Sequence, residues 1–321
     1  MRILLTRPLH EFAVREMRKR HLVEVHAGRS PMSKKLLISR IADKEGLLCY
    51  PYDRIDKEVI EAGANLKAIS TYSVGYDHID IKAASRRGIV ISYTPEVLTD
   101  ATADHTMALM LDLFRRVSDG DKMIRRGRWT TILGPYDFLG TDLHGKTLGI
   151  FGMGRIGMAV AKRARGFEMR IIYHNRKRVP STLERRLDAR YVSLDELFRK
   201  SDVVSIHAPH SAGTNDMVGM SLLKKMKKAS FLVNTARGRI INENDLASAL
   251  KSGTIAGAAL DVFREEPLSI HSPLIKLENV ILTPHIGSAT SETRREMAEI
   301  AVKNLLLSLS GKKPIYQVRA G

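Results

Sequence analysis

Cysteine is almost absent. Cys49 is the only one in 321 residues, so no internal disulfide can form. It lies in the apolar run Leu47-Leu48-Cys49-Tyr50, where a small core residue is expected rather than a reactive thiol. No uncharged apolar run reaches the roughly 18 residues of a transmembrane helix, so no membrane span is expected. Met1-Arg2-Ile3-Leu4-Leu5-Thr6 reads as a strand at once, so no secretory signal is expected either. These absences together point to a cytoplasmic location. Aromatics make up only 6%, and the single tryptophan, Trp129, reads as a packing residue. Acidic side chains are also scarce, 35 against 52 Lys and Arg, which leaves a net charge of +17. Such a balance can signal nucleic acid. Here the cations are scattered and no nucleic-acid-binding signature stands out, so no nucleic-acid partner is expected. The charge reads as a solvated surface that draws anionic ligands. The length is enough for two domains, each with its own core.

What is present is a glycine pattern in a telling context. Lys146-Thr147-Leu148-Gly149-Ile150-Phe151 is a short apolar run, Gly152-Met153-Gly154-Arg155-Ile156-Gly157 is G-x-G-x-x-G, and helix formers follow over 158–164. Strand, glycine turn and helix in that order form the dinucleotide-binding arrangement. Gly152 lets the chain turn off the strand, Gly154 lets a pyrophosphate approach the backbone, and Gly157 lets the helix pack close to the sheet. The helix start then offers N–H groups and a positive dipole end to the phosphates.

The next strand sets the expected cofactor. A chain that binds NAD usually carries an acid about 20 residues on, to hold the ribose 2′-hydroxyl. Here Met169-Arg170-Ile171-Ile172-Tyr173 runs into His174-Asn175-Arg176-Lys177-Arg178, with Asn175 where the acid is expected and three cations after it. Arg can grip a 2′-phosphate that an acid would repel. NADP(H) is therefore the expected cofactor. The alternative is a solvated basic loop, with NAD(H) held by Asn175 alone.

Short apolar strands alternate with helical stretches along the chain, which predicts parallel sheets flanked by helices. Strands are expected near 2–6, 46–50, 67–71 and 89–92, then near 148–151, 170–173, 191–192, 203–207, 231–234, 255–260 and 280–283. Thr99-Asp100 reads as the cap of a long helix from 101 to about 117, too densely apolar for a surface helix and expected to lie between domains. Gly166 and Gly253 stand where helix ends favour a left-handed residue. A last amphipathic helix, from 290 to about 310, needs a partner in the first domain. The expected division is 1–97 plus 288–321, the substrate domain, and 98–287, the dinucleotide-binding domain.

Three late segments carry reactive side chains: Asn234-Thr235-Ala236-Arg237-Gly238-Arg239, Leu260-Asp261-Val262-Phe263-Arg264-Glu265-Glu266-Pro267 and Thr283-Pro284-His285-Ile286-Gly287-Ser288. If these loops meet over a bound nucleotide, they supply an anion clamp, a carboxylate and an imidazole. Reduction of a 2-keto acid requires that set, because a general acid must protonate the carbonyl oxygen as hydride reaches the carbon. Taken singly, an Arg or Glu on a loop is usually a surface residue, and a lone His is most often structural. Spacing does not choose between Glu265 and Glu266.

The chain resembles the D-isomer-specific 2-hydroxyacid dehydrogenases, in their glyoxylate/hydroxypyruvate reductase branch. The likeness runs nearly end to end, through Ser73-Val74-Gly75-Tyr76-Asp77-His78-Ile79-Asp80, the stretch 94–104, the glycine loop and the three segments above. It implies two Rossmann-like, doubly wound α/β domains with the active site in the cleft between them, usually in a homodimer. It implies that Arg237 binds the substrate carboxylate, His285 donates the proton and Glu266 is its carboxylate partner. Val74 and Gly75 would offer backbone N–H groups to the same substrate. Gly152, Gly154, Arg155, Ile156 and Gly157 would meet the pyrophosphate, and Asn175, Arg176, Lys177 and Arg178 the ribose and its 2′-phosphate. His207 and Pro209 would lie near the adenosine half, and Thr235, Ala236, Asp261 and Gly287 near the nicotinamide. Relatives often place a Trp before the glycine strand, reaching into the partner's site; here Asp137 stands at that position. Two other readings stay open: a nucleotide-sensing corepressor, which the intact Arg237, Glu266 and His285 disfavour, and a phosphoglycerate-type dehydrogenase lacking a regulatory domain.

Overall fold

The computed structural model describes residues 1–28 and 30–319. The chain forms two compact units, Met1–Leu98 with the segment from Ala289 onward, and Thr99–Ser288. Each is built on a fully parallel sheet, as the alternation predicts.

In the first unit β1 (Arg2–Leu5), β2 (Leu22–Val25), β3 (Gly46–Cys49), β4 (Ala68–Thr71) and β5 (Val90–Ser92) lie in the order β2-β1-β3-β4-β5. Strand β2 is not expected from the sequence. It is a four-residue edge strand that carries Glu24 and leaves Leu22 70% exposed, so it lacks a buried apolar run. The central strands β3 and β4 are buried throughout, as strands covered on both faces must be. The helix Ser291–Leu309 returns to this unit, packing on β3, β4 and β5. Thr290 caps it through the Thr293 N–H at 3.2 Å. Ser70 Oγ donates to the Ala301 carbonyl at 2.9 Å, and Asn304 Nδ2 to the Tyr93 carbonyl at 3.0 Å.

In the second unit β6 (Thr147–Phe151), β7 (Arg170–His174), β8 (Ala189–Tyr191), β9 (Val203–Ile206), β10 (Phe231–Asn234), β11 (Gly257–Leu260) and β12 (Val280–Leu282) lie in the order β12-β11-β10-β9-β6-β7-β8. Successive strand residues point to opposite faces. Val204, Leu232 and Ala258 therefore join one core layer, while Val203, Val233 and Ala259 join the other.

Two local expectations are corrected. The long helix spans Thr99–Arg115, and a separate helix, Val117–Arg125, follows a left-handed Arg116 with φ of +56°. The break follows from Asp112, whose carboxylate accepts the Ser118 N–H at 2.7 Å and so turns the chain. The first of these helices packs on the helix Arg155–Arg165 and on β10 and β11 of its own unit. Gly253 is left-handed, φ +67°, as expected, but Gly166 is right-handed. There the left-handed residue is Glu168, φ +57°, because the closing bond from the Met169 N–H to the Ala164 carbonyl sets the turn two residues later.

Candidate active site

The strands of the second sheet are parallel, so their carboxyl ends share one edge. The loops after β6, β9, β10, β11 and β12 all leave from it. After β6 the chain turns at Gly152, whose φ is +104°. A Cβ there would stand 2.4 Å from the Ala208 nitrogen, so the turn rests directly on His207-Ala208 beyond β9. Strand order reverses between β6 and β9, and open α/β sheets bind ligands at such a point. The Cβ position of Gly154 has nothing within 4 Å, and the residue directly precedes the helix that starts with Arg155, Ile156 and Gly157. Open space before first-turn N–H groups that the helix itself cannot pair fits a pyrophosphate.

At the end of β7, Asn175 Oδ1 accepts the Met153 N–H at 2.7 Å, tying this strand to the glycine turn. Arg176 and Lys177 are exposed. Arg178 instead turns to Glu184, donating from Nε at 2.8 Å and Nη2 at 2.6 Å, while the Tyr173 hydroxyl donates to the same carboxylate at 2.5 Å. Arg178 and then Tyr173 pull the Glu184 pKa down to about 2. All three cations expected around a 2′-phosphate are exposed, and of them Arg178 is paired with a carboxylate. His207 Nε2 lies 2.8 Å from Ser205 Oγ, and burial lowers its pKa to about 3, so this imidazole is neutral. Pro209 is exposed, and its carbonyl accepts the Thr214 hydroxyl at 2.9 Å.

The loop after β10 is braced by buried Asn234, whose Nδ2 donates to the Arg237 carbonyl at 2.9 Å and whose Oδ1 accepts the Ala236 N–H at 3.0 Å. The Thr235 hydroxyl lies 2.9 Å from that of Thr106 on the helix Thr99–Arg115. Arg237 Nη1 donates to the Ala236 carbonyl at 2.8 Å. A Cβ on Gly238 would fall 1.9 Å from the Phe263 carbonyl carbon, so the Arg237 loop lies flush against the loop after β11. In that second loop Glu266 Oε1 accepts the Phe263 N–H at 2.9 Å, and Oε2 lies 2.7 Å from His285 Nδ1. Glu266, rather than Glu265, makes the contact that spacing left open.

His285 has φ of +55°. A left-handed residue other than glycine costs about 1–3 kcal/mol and persists only where its surroundings hold it. The group that holds it is Asp261, 1% exposed. Asp261 Oδ1 accepts the Thr283 hydroxyl at 2.7 Å and the Ile286 N–H at 2.8 Å, and Oδ2 accepts the Gly287 N–H at 2.8 Å. Burial pushes the Asp261 pKa up, but His105, the Ile286 N–H and the Thr283 hydroxyl outweigh it and hold the carboxyl below its usual range.

Val74 and Gly75 follow β4 in the first unit. Ser73 Oγ donates to the Gly75 carbonyl at 2.6 Å and lies 2.7 Å from Thr71 Oγ1, which is 3.1 Å from His78 Nε2. Asp137 Oδ2 accepts the Gly134 N–H at 2.8 Å, so this acid closes its own turn. Trp129 is 56% exposed, contrary to the expected packing role; it follows the helix Val117–Arg125, which buries no residue and so offers no core to pack on. Sequence reasoning passes over His105, Thr106 and Asn234. Their signal is a polar residue where a helix or strand is otherwise apolar.

A family model described as "D-isomer specific 2-hydroxyacid dehydrogenase, NAD binding domain" matches residues 107–287. A glyoxylate reductase of Thermofilum pendens is 48% identical over 91% of this chain and 86% of its own length. One from Korarchaeum cryptofilum is 44% identical over 98% of this chain and 94% of its own. Among solved structures, a protein from Thermus thermophilus is 46% identical with a TM-score of 0.92, covering 99% of this chain and 100% of that one. An NADPH-dependent glyoxylate/hydroxypyruvate reductase from Sinorhizobium meliloti, solved with NADP and malonate, is 30% identical with a TM-score of 0.87, covering 99% and 96%. Among the described residues no helix is long and apolar enough to cross a membrane. A family model over more than half of the chain and relatives 44–48% identical over nearly all of it show that the chain belongs to the D-isomer-specific 2-hydroxyacid dehydrogenase family, in the branch that holds the glyoxylate reductases.

Proposed function

We propose that the protein reduces a small 2-keto acid with NADPH, glyoxylate to achiral glycolate or hydroxypyruvate to D-glycerate. The observation that carries this reading is the 2.7 Å contact of His285 Nδ1 with Glu266 Oε2, on a loop packed against that of Arg237. A bound nicotinamide supplies the hydride. The chain's own groups do the rest. The Arg237 fork grips the substrate carboxylate and aligns the keto group, and the Val74 and Gly75 N–H groups add donors to that carboxylate. Glu266 takes the Nδ1 hydrogen, which leaves Nε2 as the nitrogen that gives a proton to the carbonyl oxygen and recovers it in the reverse direction. The Phe263 N–H on Oε1 fixes the carboxylate, and through it the plane of the imidazole. Absorbance loss on mixing the protein with NADPH and glyoxylate tests the reading. No turnover of either keto acid would reduce the protein to a nucleotide-binding role.

The preference for NADPH rests on Arg176 and Lys177, with no acid at the end of β7. Replacing both by alanine is expected to weaken NADPH about 10- to 100-fold, the range of a lost charge-assisted contact, and NADH far less. Equal losses in titrations with the two cofactors would refute the phosphate site. Gly152, Gly154, Arg155, Ile156 and Gly157 take the pyrophosphate in this reading. His207 and Pro209 flank the adenosine half, and Thr235, Ala236, Asp261 and Gly287 the nicotinamide.

The same reading makes the protein a cytoplasmic homodimer. A chain with one, buried, cysteine suits a reducing compartment. Support for the dimer comes from Ile124, Trp129, Ile132, Tyr136 and Leu139, large apolar side chains exposed along one stretch, Ile132 at 93%. Large apolar side chains exposed together fit an interaction surface. Sedimentation should give twice the chain mass for the native protein and a monomer for a variant with Ile132→Asp and Tyr136→Asp. A native monomer would remove the dimer from the account.

A further inference from the structure

The imidazole at position 105 has no part in the chemistry described so far, yet it touches what holds the catalytic loop. His105 lies on the helix Thr99–Arg115 with its side chain 17% exposed. Its Nε2 stands 3.3 Å from Asp261 Oδ1 and 3.2 Å from Thr283 Oγ1. Because one neighbour is a carboxylate, Nε2 carries the hydrogen and donates. The Thr283 hydroxyl in turn donates to Asp261 Oδ1 at 2.7 Å, which closes a triangle of His105, Thr283 and Asp261. Oδ1 thus receives His105, Thr283 and the Ile286 N–H together. Those donors fix the carboxylate's rotation, and the carboxylate binds the chain on both sides of His285, at Thr283 before it and at Ile286 and Gly287 after it. The next residue on the helix, Thr106, meets Thr235 in the Arg237 loop at 2.9 Å. Consecutive residues of one helix therefore reach the loop of the anion clamp and the loop of the proton donor.

We propose that His105 is a positioning residue for proton transfer: its Nε2–H sets the Asp261 carboxylate and the Thr283 hydroxyl, and through them the left-handed turn that presents His285. The proposal rests on the reading of His285 as proton donor. It concerns geometry in the reacting complex, so the effect falls on kcat. A misplacement on the order of 1 Å at the reacting atoms costs up to about 100-fold.

The test compares His105→Leu, His105→Gln and Thr283→Val with the native enzyme, with His285→Ala as control. NADPH affinity is measured by fluorescence and Tm by calorimetry. His105→Leu is expected to lower kcat about 10- to 100-fold, with KM for the keto acid and Kd for NADPH within about twofold. His105→Gln, whose amide can still donate, should restore most of the loss. Thr283→Val keeps the side-chain shape and should show the same split, which decides the matter should the leucine variant not fold. If His105→Leu and Thr283→Val both keep kcat within about twofold while His285→Ala is inactive, His105 has no positioning role. A loss confined to Tm, with unchanged turnover per folded molecule, overturns it equally. Full activity in His285→Ala would instead overturn the proton-donor reading beneath it.

Discussion

His285→Ala is expected to lower kcat for glyoxylate reduction by about 10²–10⁴-fold, the usual worth of a positioned general acid. Glu266 holds Nδ1 at 2.7 Å and so commits the opposite ring nitrogen to the alkoxide that forms as hydride arrives. The loss should fall on kcat and on kcat/KM together, since the proton moves only in the transition state. NADPH affinity should barely change. His285→Ala turning over at near the native rate, measured by NADPH absorbance at saturating substrate, would remove the imidazole from the mechanism. Glu266→Gln should lie between the two, because glutamine can still accept from Nδ1–H but carries no charge to offset the imidazolium.

Arg237→Ala carries the second large effect. A planar fork facing a substrate carboxylate contributes two charge-assisted hydrogen bonds. Truncating one partner of such a pair costs about 2–5 kcal/mol, so kcat/KM should fall by roughly 30- to 4,000-fold by the ~1.4 kcal/mol per decade relation. Most of the loss should appear in KM, with some in kcat as the keto group loses alignment. Arg237→Lys should recover only part of the activity, since an ammonium makes point contacts and no fork. Because Asn234 bonds the Arg237 backbone rather than its side chain, the loop should keep its shape in both variants. Steady-state kinetics on both keto acids check this; an unchanged KM in Arg237→Ala would place the carboxylate elsewhere.

Much of the architecture is legible before any coordinates. The G-x-G-x-x-G turn and the alternating apolar runs are local signals, and a parallel sheet with buried central strands follows from them. Three parts are not legible, each for a physical reason. Strand β2 is an edge strand, so its residues need no apolar run and leave no pattern. The pairing of Arg178 with Glu184, six residues on, leaves no mark in the run of cations at 176–178. The bond between His105 and Thr283 joins positions 178 residues apart. Spacing carries no information on such a pair, and only the fold brings the helix to the loop. The choice of Glu266 over Glu265 is of the same kind. Adjacent residues on a loop point in different directions, and a backbone bond to Phe263 decides which one meets the imidazole.

The most direct test of the central claim is the product formed from hydroxypyruvate. The account predicts that the native enzyme oxidises one NADPH for each glycerate made, and that chiral analysis finds the D enantiomer alone. L-glycerate or a racemate would contradict a keto group held in one orientation by Arg237 and His285, and NADPH consumption without glycerate would contradict delivery of hydride and proton to that carbonyl.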